Sequence, residues 1–144
     1  MASLQEVGLA VKRLQWRHHR TANVRLAHVG LSLVQWDVLR HLHAQPEASL
    51  HDLALLTFQT DQSMGALATR MVRRGLLVRV DGPGRAVRHR LTDRGDEARR
   101  AGGEILDGVL NESLGTLTPE QRDQLHELLT LAAADPRANP GNAP

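Results

Sequence analysis

The run Gly82-Pro83-Gly84 constrains this chain more than any other stretch. Elsewhere the apolar residues recur at helical spacing, and here three consecutive helix breakers force a turn. Leu76, Leu77, Val78 and Val80 precede the turn, and Val87 and Leu91 follow it, so two short strands closed into a hairpin are expected. The hairpin also carries Arg79, Arg85, Arg88 and Arg90. Arginines crowded onto one ribbon repel each other unless an anion comes to meet them.

The rest of the chain is punctuated for helices. Ser32 stands three residues before Gln35, Ser49 three before Asp52, and Thr118 precedes Pro119 with Gln121 three on, which are helix-capping patterns. Thr60 and Thr92 can cap two more helices. A first helix is expected from about Glu6 to His28, on the apolar residues Val7, Leu9, Ala10, Val11 and Leu14. The expected order is four helices, the hairpin, then two helices. The third and fourth helices, of about nine and fifteen residues, are joined at Phe58 and Gln59, short enough to make them cross at a large angle. The fold class is therefore mainly α: a helix-turn-helix followed by a β-hairpin wing. The fifth helix, Thr92 to about Leu114, is expected to be weak or bent at Gly102, Gly103 and Gly108. The sixth, Pro119 to Ala134, places Leu125, Leu128, Leu129 and Ala132 on one stripe, and the proline-rich residues 135–144 are expected to be disordered.

The formal net charge of +2 hides a segregated pattern. Residues 1–30 carry +4, 31–69 carry −3, 70–90 carry +6 and 91–144 carry −5. A solvated mixed surface scatters its signs, whereas a local block of one sign marks a face that meets an anion. On the fourth helix, Met64, Leu67, Ala68 and Met71 form one apolar face, leaving Gln62, Ala66, Thr69 and Arg73 opposite, flanked by Ser63 and Arg70. That polar face holds no carboxylate, as suits a surface facing phosphate. Gln62 has the amide geometry to read adenine, Ser63 can bond a base or phosphate, and Ala66 can admit a thymine methyl. Arg70 and Arg73, farther along, suit phosphate, as do Arg88 and Arg90, which share one face of their strand while Val87 and Leu91 point inward. Arg85 at the hairpin tip suits the enhanced potential of a narrow minor groove.

"LSLVQWDVLRHL" (31–42), "SLHDLALLT" (49–57), "QSMGALATRMVRRGLLVRVD" (62–81) and "RAVRHRLTDRG" (85–95) resemble, in order and spacing, the MarR family of bacterial winged helix-turn-helix regulators. The resemblance implies a homodimer whose N-terminal helix (1–30) and C-terminal helices (96–134) interlock around DNA-binding lobes (31–95). It implies a fourth helix, from Thr60 onward, in the major groove and a wing in the neighbouring minor groove of a pseudo-palindromic operator. The usual wing has an acidic residue just before its arginine; here Arg85 keeps the tip position without that partner. The resemblance also implies a small aromatic or acidic effector. Trp16 and Trp36, with Arg17, His19 and Arg20, are candidates for its pocket, although core packing is the commoner use of large aromatics where helices meet.

Other function classes find less support. The chain has no cysteine, which removes disulfides and thiolate zinc sites. No apolar run approaches a membrane span, and the start lacks a basic segment leading into an apolar one, so a cytoplasmic protein is expected. His18 and His19 are adjacent and His41 and His43 two apart, so within each pair the side chains diverge on a helix and no metal or cofactor is expected. No nucleophile elbow, phosphate loop or His-x-x-x-His helix suggests an enzyme. The expected function is a ligand-released, homodimeric repressor. The alternatives are a winged-helix module binding an acidic protein partner and a small-molecule or metal-sensing dimer.

Overall fold

The computed structural model describes residues 1–80, 84 and 86–134. The elements run α1 (Leu4–Leu26), a 3-10 turn (Ala27–Val29), α2 (Leu33–Ala44), α3 (Leu50–Leu56), α4 (Asp61–Arg73), β1 (Leu77–Val80), β2 (Arg88–Leu91), α5 (Asp93–Leu114) and α6 (Pro119–Ala133). One compact unit spans Met1–Val109 and a second begins at Leu110.

Each expected cap is made. Ser32, Ser49 and Thr118 form reciprocal capping boxes with Gln35, Asp52 and Gln121. The Thr60 hydroxyl accepts from Ser63 N, and the Thr92 hydroxyl accepts from Gly95 N while donating to Gly75 O. A further box, Ser3 with Glu6, starts α1 two residues earlier than the apolar pattern suggests. α3 and α4 are seven and thirteen residues long, each two shorter than expected, because one capping residue stands outside the helix at each end: Ser49 and Thr57 for α3, Thr60 and Arg74 for α4.

The core of the first unit is built on Leu26, Val38, Leu39, Leu53, Met64, Met71 and Leu77, all fully buried. α4 contributes Met64, Leu67, Ala68 and Met71 to it, the face expected from the 3.6-residue period. Burying one such Leu or Met side chain is worth about 1.5–3 kcal/mol, so this stripe fixes the helix's rotation about its axis. Gly75, at φ +73°, ends α4 in the left-handed conformation and turns the chain into β1.

β1 and β2 form an antiparallel ladder pairing Leu77 with Leu91, Val78 with Arg90, Arg79 with His89 and Val80 with Arg88. Leu50 N donates to Val87 O at 2.8 Å and Ser49 bridges Arg88, so the hairpin is also tied to the start of α3. The hairpin turn, Asp81 to Pro83 with Arg85, and the expected disordered tail lie outside the described residues.

α5 runs without interruption through Gly102, Gly103 and Gly108. Gly102 is there for closeness. A Cβ at this position would meet the Trp36 indole, whose Nε1–H donates to Arg99 O at 3.0 Å. In the second unit, α6 buries none of its residues in a single chain: its stripe leaves Leu128 and Leu129 exposed, with Leu131 beside them.

Candidate nucleic-acid interface

The buried stripe of α4 leaves Gln62, Ser63, Ala66, Thr69, Arg70 and Arg73 all exposed on the other side. Thr60 is exposed at the N-cap, and its hydroxyl proton stays available because the oxygen only accepts from Ser63 N. The Thr69 hydroxyl donates back to Gly65 O at 3.0 Å and is partly engaged with its own helix. Beside this face a cleft of about 380 Å³ is lined by Ser32, Val34, Gln59, Ser63, Ala66 and Arg70.

The face is free of carboxylates only from Gln62 onward. Asp61, in the first turn, is exposed and accepts from His51 Nδ1 at 2.8 Å, across from α3. That hydrogen bond, with the aspartate's charge, raises the His51 pKa above its ordinary value. The sequence gives no sign of this partnership, because ten residues and a helix-helix crossing separate the two groups.

On the wing, strand alternation puts Arg88 and Arg90 on one face, but their surroundings differ. Arg90 is exposed, across the ladder from Val78. Arg88 is half-buried, and its Nε donates to Glu47 O at 3.1 Å, so part of its hydrogen-bonding capacity braces the hairpin against the segment leading into α3. Val87 and Leu91 are half-buried, and between them His89 is buried, a residue the apolar pattern passes over. Its Nδ1 has no hydrogen-bond partner among the described residues. Burial, with Arg79 opposite it, lowers the His89 pKa. Arg85 lies outside the described residues. Arg74, one of the seven basic residues of 70–90, donates to the Gln35 side chain at 3.4 Å. It lines a separate cleft of about 270 Å³ with Val29, Leu31, Leu76, Arg94 and Glu97.

The effector candidates do not share one environment. Trp16 is 58 % exposed and stacks on His19 with ring centroids 5.9 Å apart; Arg17 and Arg20 beside them are exposed. Trp36 packs against the core, hydrogen-bonded to α5 and covered by the Arg40 guanidinium at 5.3 Å. Trp36 thus has the packing role, and Trp16 does not. Among the described residues no three histidine or carboxylate side chains converge on a point that would hold a metal, and no helix is long and apolar enough to cross a membrane.

Residues 29–86 match the sequence pattern of the MarR family. No curated protein sequence matches the chain. Among solved structures, a MarR-family transcriptional regulator from Rhodococcus sp. superposes with a TM-score of 0.83 at 19 % identity, covering 94 % of this chain and 100 % of that one. A mutant of Escherichia coli MarR complexed with operator DNA gives 0.79 at 17 % identity, covering 92 % and 100 %. A Mycobacterium tuberculosis MarR family protein in complex with salicylic acid gives 0.72 at 22 % identity, covering 92 % and 98 %. The family match covers residues 29–86, and the fold is a winged helix of the MarR type.

Proposed function

We propose that this chain, a winged helix of MarR type, is a transcriptional regulator that binds double-stranded DNA as a homodimer and represses until a small ligand releases it. The observation that carries the reading is the exposed face of α4. Six side chains suited to base edges and phosphates stand in one surface with no carboxylate from Gln62 to Arg73, and exposed Arg90 lies on the wing that follows. A helix presented in this way fits the major groove, with base readout concentrated in its first turn and affinity in the arginines. Arg85 would extend the surface into the adjacent minor groove.

Two further observations support the finer parts. Leu4, Val7, Leu9, Val11, Trp16 and Val24 of α1 are exposed in the single chain, as are Leu128, Leu129 and Leu131 of α6, and a second copy would cover them. The effector reading is supported by the cleft beside α4, whose lining includes Arg70 and Ser63, and by a structural neighbour that holds salicylic acid. Such an effector acts only through its differential affinity for dimers whose two α4 helices are spaced rightly or wrongly for successive major grooves.

Selection from random duplexes tests the reading. It should return a two-fold-related site whose affinity falls steeply with salt, with a log-log slope of about −0.9 for each phosphate neutralised. Enrichment of no sequence, with equal binding to any polyanion, would favour an acidic protein partner instead.

A further inference from the structure

Phe58 is the chain's one phenylalanine, and its side chain is 95 % exposed. It is also the one non-glycine residue with positive φ, at +57°, among the described residues. It follows the C-cap of α3, where the chain must turn left-handed. Phe58 N donates to Leu55 O at 3.3 Å and Gln59 N to Ala54 O at 2.8 Å, closing the helix end. Glycine or asparagine is the usual solution at such a position, because a side chain on Cβ is strained there. Phenylalanine accepts the strain and gains no burial in return. Both local terms run against it, so folding of the chain supplies no reason for its presence. An apolar partner outside the chain does.

The position says which partner. Phe58 stands two residues ahead of Thr60, the N-cap of α4, so its backbone lies within about 8 Å of the start of the helix that presents Gln62 and Ser63. Its neighbour Gln59 lines the cleft beside the α4 face. Leu55, one turn back on α3, is also exposed, at 64 %. In the major groove the one apolar feature on a base edge is the thymine C5-methyl, and a phenyl ring is among the groups that contact it. We propose that Phe58 is a further specificity-determining residue that packs on a thymine methyl at the edge of the half-site read by α4. This rests on the DNA-binding reading above and adds a base contact that α4 itself does not supply.

The test uses the full-length protein and the duplex obtained by selection. Each thymine is replaced in turn by deoxyuridine, which removes only the methyl group, and affinities are measured for the wild type and for Phe58→Gly. Glycine adopts the same backbone conformation without strain, so thermal stability should be equal or higher and lost affinity cannot be assigned to unfolding. One replacement should weaken the wild type about 4-fold, the equivalent of one buried methyl group, and leave Phe58→Gly unaffected. Sensitivity at any thymine facing Ala66 should persist in both proteins. If the wild type senses no methyl, or Phe58→Gly keeps every sensitivity, the inference is overturned while the DNA reading stands. Undiminished duplex binding by Phe58→Gly would likewise overturn it and assign the ring to a protein partner. If no duplex is selected at all, the functional reading itself has failed.

Discussion

His51 Nδ1 stands 2.8 Å from Asp61 Oδ1 and ties the outside of α3 to the first turn of α4. The pair holds the one carboxylate at the head of the proposed reading helix, and Asp61 in turn raises the pKa of the histidine that holds it.

The folded-state pKa of His51 is raised by Asp61, so the stability that the pair contributes is fully present below the unfolded value of about 6.5. It is lost as pH rises through the higher folded value. His51→Ala should therefore lower the melting temperature relative to wild type at pH 5.5, with the two proteins converging as pH rises through the raised folded-state pKa of His51. A constant difference across that range would show that the ion pair is not the cause.

Asp61 itself opposes phosphate. Asp61→Asn should tighten duplex binding, more at low salt than at high, because removing a repulsion between exposed charges has an effect that screening reduces. Filter binding or fluorescence anisotropy at 50 and 200 mM salt would reveal it. Weaker binding would mean that the carboxylate accepts from a base amine.

Arg90 and Arg88 should separate under substitution. Arg90→Ala is expected to reduce the magnitude of the salt slope by about 1 with little change in stability. Arg88→Ala should do less to the slope and also destabilise the fold, since its Nε bond to Glu47 O is lost from a half-buried site. Chemical denaturation beside the binding titration distinguishes the two.

His89 reverses the pH behaviour of His51. Its pKa is lowered by burial, so between about 6.5 and its folded value the unfolded chain takes up a proton that the folded chain refuses, and stability falls as pH falls. His89→Leu should flatten the acid side of the melting profile below pH 6.5. An unchanged slope there would place the acid sensitivity elsewhere.

Two glycines of α5 test packing. Gly102→Ala would push a methyl into the Trp36 indole, and Gly95→Ala would push one into the Leu76 carbonyl. Overpacking of the first kind costs about 1–3 kcal/mol, and the second should cost more because backbone yields less than a side chain. Urea denaturation gives the order.

The sequence by itself determined the elements and the facing of α4. Caps are local hydrogen bonds between residues three apart, and the period of Met64, Leu67, Ala68 and Met71 rotates the helix whatever it packs against. The wing was legible for the same reason, since breakers and alternation act within a few residues. Tertiary structure decided what each polar group does once it arrives. It brought His51 to Asp61, engaged Arg88 with Glu47, buried His89 and set Trp36 against Gly102. Those outcomes depend on which elements meet and at what distance. Hydrogen bonding and desolvation act across a few ångströms of space, and sequence separation does not record that distance.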